Sequence, residues 1–172
     1  MSFNFKKLSI LIVEDTEPMR KLIASVLETM EVGDIYTATN GDDGYEKVKR
    51  FNPDIVIADW HMSPVNGIQL TKEIRTNTLT PNRMVPIILV TGYSALSRVA
   101  EARDAGVTEF LVKPFSANDM AKRIAYVINK PRDFIDSADY FGPDRRRRQD
   151  ANYPGPFRRA DDSAEDISRN AV

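Results

Sequence analysis

Four short apolar runs, each closed by a polar residue, limit what this chain can fold into more than any other feature of it. Ile10 to Val13 ends at Glu14-Asp15, Ile55 to Ala58 at Asp59, Ile87 to Val90 at Thr91, and Phe110 to Val112 at Lys113. Strands covered on both faces read as continuous Ile, Val and Leu rather than as apolar-polar alternation. The first polar residue after each run therefore marks where a strand leaves the core. In open α/β sheets, ligands bind in the crevice at the carboxyl ends of parallel strands, where the strand order reverses. Three acids, a hydroxyl and an amine are thus predicted to share one rim.

Between the runs the apolar spacing is helical. Met19, Leu22, Ile23, Val26 and Leu27 recur on one face of a predicted helix from about Glu17 to Met30, with Pro18 acceptable in its first turn. Ile35 to Ala38 reads as a strand, and a helix near Asp42 to Phe51 can start at Asn40-Gly41. Asn52-Pro53 is a turn signal before a strand at Asp54 to Ala58. Ile68 to Ile74 carries a third helix. Leu96 to Ala105 carries a fourth, closed by Gly106 as its C-terminal cap. After a strand at Thr108 to Val112, Ser116-Ala117-Asn118-Asp119 forms a capping box for a last helix running to about Asn129, before Pro131. Strands alternating with helices imply right-handed βαβ crossovers: an α/β fold, (βα)5, doubly wound around a parallel sheet in a three-layer sandwich. Periodicity alone leaves the strand order open.

Composition narrows the function. A chain of 172 residues with 42% apolar content suits one ordinary core plus some excess length. With 24 basic and 25 acidic residues, the formal net charge of −1 makes no global case for a nucleic-acid or membrane partner. Cysteine is absent, which excludes disulfides, thiolate nucleophiles and cysteine-ligated metals and suits a reducing compartment. Leu8 to Val13 follows Lys6-Lys7 but spans six residues, too short for a signal-peptide core or a membrane span. The expectation is a cytoplasmic protein with no membrane insertion.

Over residues 6 to 130 the sequence resembles the receiver domain of two-component response regulators, and the single-domain chemotaxis regulators in particular. The resemblance rests on Ile12-Val13-Glu14-Asp15, Pro53-Asp54-Ile55-Val56-Ile57-Ala58-Asp59-Trp60, Asn66-Gly67, Val90-Thr91-Gly92 and Val112-Lys113-Pro114-Phe115. It implies the flavodoxin-like strand order 2-1-3-4-5, which puts Asp15 and Asp59 side by side. It also implies a phosphoryl group on Asp59, received from a histidine kinase or phosphotransfer protein, with Mg²⁺ as cofactor. Asp15, Asp59 and the backbone carbonyl of His61 would ligate the cation, with Glu14 acting through water. Lys113 would meet a phosphoryl oxygen and Thr91 would donate its hydroxyl. Thr91 and Phe110 would form the switch, although Phe110 reads equally well as core packing and lacks a phenolic hydroxyl. The output would be contact with a protein target that the sequence does not identify. The Lys113-Pro114 bond is expected to be cis.

Two departures from the family pattern stand out. Met62-Ser63-Pro64 inserts a residue where proline commonly follows methionine directly, and Thr76 to Arg83 is longer than the typical connection. The second reads as a partner-specific loop or a tolerated insertion.

Composition shifts at Pro131, so residues 1–130 read as the receiver and 131–172 as a mixed-charge flexible tail. The tail holds eight arginines, no lysine and nine acids, with no helical or strand period. Tyr140 to Arg146 and Tyr153 to Arg159 both fit Tyr-x-Gly-Pro-x-Arg-Arg. Tyr140, Arg145, Arg146, Tyr153, Arg158 and Arg159 are therefore binding candidates: aromatic and guanidinium groups around a forced turn. They suit docking on a partner or on the receiver itself, while a solvated disordered tail explains them too. No DNA-binding domain is recognisable. Two rival functions remain. One is a binding module governed by the tail, for a protein, nucleic acid or cyclic dinucleotide. The other is an aspartate-nucleophile phosphatase, which would want a second acid where Asp59-Trp60-His61 has none.

Overall fold

Burial on both faces decides the architecture of this chain. The computed structural model describes residues 3–92 and 97–145. Five strands, β1 (Ser9–Val13), β2 (Asp34–Ala38), β3 (Ile55–Asp59), β4 (Ile87–Thr91) and β5 (Glu109–Val112), form a parallel sheet in the order β2-β1-β3-β4-β5. Every residue of β3 and β4 is buried, as continuous apolar runs demand.

Side chains alternate across the sheet and so supply two cores. On one face Ile10, Ile12, Ile55, Ile57, Ile88, Val90 and Leu111 pack with Ile23 and Leu27 of α1 (Glu17–Thr29) and with Met120, Ile124 and Val127 of α5 (Ala117–Asn129). On the other, Leu11, Val13, Val56, Ala58 and Ile87 pack with α2 (Gly41–Phe51) and α3 (Gly67–Thr76) through Tyr45, Val48, Leu70 and Ile74. A third group on that face joins Leu89, Phe110 and Trp60 to Val99, Ala102 and Ala105 of α4 (Val99–Ala105). Each fully buried side chain of this kind contributes about 1.5–3 kcal/mol. Leu22, read as part of the apolar face of α1, is 52% exposed; it lies at the edge of the stripe that Ile23 and Leu27 centre on the sheet.

The helix ends follow local chemistry. Asn40 caps α2 by accepting from the Asp43 amide at 2.9 Å. Asn66 with Gln69, and Ser116 with Asp119, make reciprocal capping boxes on α3 and α5. The fourth helix begins at Val99 rather than Leu96; Leu96 lies outside the described residues, and Ser97 and Arg98 form a tighter turn. Gly106 ends α4 at φ +103°, a conformation that strongly favours glycine. Asp54 lies just before β3, not within it, and its carboxylate accepts from the Ser9 amide at 2.8 Å.

Beyond Asn129 the chain forms a hairpin, β6 (Phe134–Asp136) antiparallel to β7 (Phe141–Pro143). The sequence shows no strand period here because three-residue strands are too short to display alternation. Among the described residues no helix is long and apolar enough to cross a membrane.

Candidate functional site at the carboxyl edge of the sheet

Strand order and register bring the predicted rim together. β1 lies between β2 and β3, with Val13 opposite Ala38 and Ala58, so Glu14 and Asp15 leave the sheet beside Asp59. Asp59 pairs with Val90 and Thr91 with Val112, which sets Thr91 and Lys113 on the other side of Asp59. The Trp60 amide donates to the Val90 carbonyl at 3.0 Å, and the Lys113 amide to the Thr91 carbonyl at 2.7 Å. Both bonds carry the register past the strand ends. Gly67 opens α3 directly against β3: a Cβ there would lie 2.4 Å from the Asp59 carbonyl oxygen, so the loop closes tightly only because the residue is glycine.

Carboxylate oxygens of Glu14, Asp15 and Asp59 all lie within 4.8 Å of one another. Asp15 is exposed, whereas Glu14 and Asp59 are buried at 1% and 7% exposure. Glu14 Oε1 accepts from the Thr16 amide at 3.0 Å and the Thr16 hydroxyl at 2.9 Å. Its other oxygen, Oε2, is buried with no hydrogen-bond partner. Burial, reinforced by the Asp59 charge, pushes the Glu14 carboxyl above the ordinary carboxylate range. An unpartnered oxygen inside an acidic cluster is what a hard dication satisfies, and Mg²⁺ takes oxygen ligands about 2.0–2.1 Å away, a spacing this cluster can span. The residues present fit such an ion.

Opposite the acids, Lys113 Nζ stands 2.8 Å from Asp59 Oδ1. The Thr91 side chain is buried, and its hydroxyl donates to the Gly92 carbonyl at 3.2 Å rather than to Asp59. Phe110 is fully buried in the α4 cluster, in keeping with both readings of it. His61 is exposed two residues beyond Asp59, its ring stacked against Trp60 with centroids 6.3 Å apart. The Lys113-Pro114 bond is cis, as expected, and so is Ser63-Pro64 in the loop that departs from the family pattern.

Of the tail candidates, Tyr140 and Arg145 rest on the body of the chain, with Arg145 paired to Asp104. Arg146, Tyr153, Arg158 and Arg159 lie outside the described residues. Sequence reasoning missed Arg75, which is 1% exposed and donates to three backbone carbonyls. An arginine in the last turn of a helix ordinarily signals only an interaction with the helix dipole, so nothing in the sequence marks it.

Comparison with known proteins agrees with this geometry. Residues 10–125 match the model of the response regulator receiver domain. Chemotaxis protein CheY1 of Helicobacter pylori (strain J99) is 31% identical over 125 residues, covering 70% of this chain and 97% of that protein. Chemotaxis protein CheY-3 of Vibrio cholerae is 28% identical over 125 residues, covering 73% and 95%. A receiver domain protein from Clostridium thermocellum superposes with a TM-score of 0.65 at 26% identity, over 72% of this chain and 95% of that one. The Vibrio cholerae chemotaxis response regulator CheY4 gives 0.63 over 70% and 98%, and at 24% identity that likeness speaks for the fold alone. With the fold, the carboxylate cluster and the family match in agreement, the chain belongs to the response regulator receiver family of two-component signalling.

Proposed function

We propose that this chain accepts a phosphoryl group on Asp59 from the phosphohistidine of a kinase or phosphotransfer protein, and signals by changing a protein-binding surface. The observation that carries the proposal is Lys113 Nζ at 2.8 Å from Asp59 Oδ1, beside three clustered carboxylates. A carboxylate oxygen of Asp59 attacks phosphorus, the phosphorus–nitrogen bond of the donor breaks, and the imidazole nitrogen leaves with the electron pair and takes a proton. An acyl phosphate results. Bound Mg²⁺ would supply the positive charge that lets an anionic phosphoryl group approach an anionic nucleophile. Asp15 and Asp59 would hold the ion, with the His61 backbone carbonyl as the third protein ligand and Glu14 reaching it through water.

The remaining residues position and compensate. Lys113 holds one Asp59 oxygen and then neutralises an oxygen of the transferred group. Thr91 turns its hydroxyl from the Gly92 carbonyl toward that group. Treating the full chain with acetyl phosphate and Mg²⁺ tests the reading by intact mass and by the fluorescence of Trp60. Wild type should gain a phosphoryl group and Asp59→Asn should not; equal labelling of the two would defeat the assignment. Sustained turnover of small phosphate esters would instead favour the phosphatase.

A further inference from the structure

The hairpin lies beyond the part of the chain that matches the family, and one of its contacts comes from the long connection between α3 and β4. That connection carries Arg83, whose guanidinium stands 4.0 Å over the ring of Phe141. Arg83 Nε also donates to the Arg75 carbonyl at 2.7 Å, and Arg75 lies 5.0 Å from the centre of the Phe134 ring. Phe134 and Phe141 pack on each other at 5.6 Å, so two arginines of the body meet two aromatics of the hairpin. Arg75 at the end of α3 and Arg83 of the insertion thus offer cationic faces to the two aromatic rings of the hairpin.

Other anchors are on the last turn of α4 and on the segment that follows it. The Tyr140 hydroxyl donates to the Pro143 carbonyl at 2.8 Å and lies 3.4 Å from that of Arg103. Arg145 pairs with Asp104, and Arg132 donates to the Thr108 carbonyl at 3.2 Å. A Cβ on Gly142 would stand 3.2 Å from the Gly106 Cα, so the hairpin backbone lies directly on the end of α4. At its inner side the same helix packs through Val99, Ala102 and Ala105 on Trp60, the residue after Asp59. Trp60 Nε1 is buried without a hydrogen-bond partner, and Arg98 covers the ring at 5.3 Å. Asp59, Trp60, α4 and Tyr140 thus form one continuous line of packed groups.

A hairpin with three-residue strands has little stability of its own and depends on its seat. The contacts it makes fit α4 where α4 now lies, with the Thr91 hydroxyl turned away from Asp59. A phosphoryl group on Asp59 enlarges the space needed beside Thr91 and Gly92, just ahead of α4. Any displacement of the helix costs the hairpin its hold on Arg103, Asp104 and Gly106. We propose that the hairpin of residues 134–143 is a strap that docks on the unphosphorylated receiver and is loosened when Asp59 is phosphorylated, freeing Arg145 from Asp104. The proposal rests on the phospho-acceptor reading above.

Hydrogen exchange of the full chain, with and without Mg²⁺ and beryllofluoride as phosphoryl mimic, tests it at two amides. Asp144 donates to the Asp133 carbonyl at 2.7 Å and Ser137 to that of Tyr140 at 2.9 Å. Both should exchange at least about fivefold faster with the mimic bound, the lower end of ordinary coupling between sites. Reciprocity requires that Tyr140→Phe, which removes only the hydroxyl, tighten the binding of beryllofluoride in the presence of Mg²⁺, and Arg145→Ala should do the same. If intact mass shows phosphorylation of Asp59 while both amides keep their exchange rates, the strap is wrong and the phospho-acceptor reading stands. No acyl phosphate under any condition overturns both.

Discussion

Lys113 Nζ lies 2.8 Å from Asp59 Oδ1, so the proposed acceptor carries a counter-charge before any cation arrives. The ammonium offsets part of the repulsion among Glu14, Asp15 and Asp59 and, by the same field, opposes a second positive charge at that cluster. Lys113→Ala is therefore expected to bind Mg²⁺ more tightly, on the order of tenfold, for a charge a few ångströms from the ion. It should nonetheless accept less phosphoryl group from acetyl phosphate, since the developing charge loses its partner. Titration of Trp60 fluorescence with Mg²⁺ and intact-mass labelling measure the two effects. Weaker Mg²⁺ binding, or undiminished labelling, contradicts the role given to Lys113.

Glu14 bears the electrostatic cost of the cluster. Its carboxyl is raised above the usual value of 4.5, by burial first and by the Asp59 charge after it. Between the unfolded and folded values the folded chain binds more protons, so this group lowers stability as pH rises through that interval. At neutral pH without divalent ions, Glu14→Gln should raise stability, by up to the usual cost of a buried unpaired polar group, about 1–3 kcal/mol, and Tm with it. The advantage should vanish in acid below the unfolded value. It should shrink when Mg²⁺ is added, because the cation stabilises wild type more. Thermal melts with EDTA and with Mg²⁺, at neutral and acid pH, give all three comparisons, and a variant that melts lower without metal ions would refute the account.

The capping box of α5 predicts a separate pH effect. The Ser116 amide donates to Asp119 Oδ2 at 2.8 Å, and the Asp119 amide to Ser116 Oγ at 3.1 Å. The amide and hydroxyl of Ser116 hold the Asp119 carboxyl below its usual 3.8. A depressed carboxyl contributes stability above its unfolded pKa and loses it as pH falls through the folded value. Ser116→Ala should cost about 1 kcal/mol at neutral pH in urea unfolding. The Asp119→Ala deficit should close in acid; a deficit that persists there means the carboxylate is not the group at work.

The rim was legible because strand ends are marked by a change from continuous Ile and Val to one polar residue, and Asp59, Thr91 and Lys113 stand at those changes. The strand order was not, since Ile10 to Val13 fits beside any neighbour equally well, and the family resemblance supplied it. The fourth helix starts later than its apolar spacing suggests because Ser97 and Arg98 form a tighter turn ahead of Val99. The hairpin escaped detection for a different reason. Its strands are held by Arg75 and Arg83 from a distant part of the chain, and neither Phe134 nor Phe141 has a local pattern that announces such partners.

Arg75 should be the most sensitive side chain outside the proposed site. Its Nε donates to the Gly106 carbonyl at 3.0 Å, and Nη1 donates to those of Val85 at 2.8 Å and Arg83 at 2.6 Å. Burial lowers its guanidinium to about 9, which still leaves it charged at neutral pH. One planar fork thus ties the start of β4, the end of α4 and the insertion together, while the Phe134 ring covers its face. Arg75→Ala strands three carbonyls and should cost on the order of 3 kcal/mol or more in urea unfolding. Arg75→Lys should be no better than Arg75→Met: an ammonium brings charge into the same dry space with a single point of contact, whereas methionine fills the volume without a charge to desolvate. A lysine variant near wild-type stability would show that charge alone, not the geometry of the fork, holds this corner of the fold.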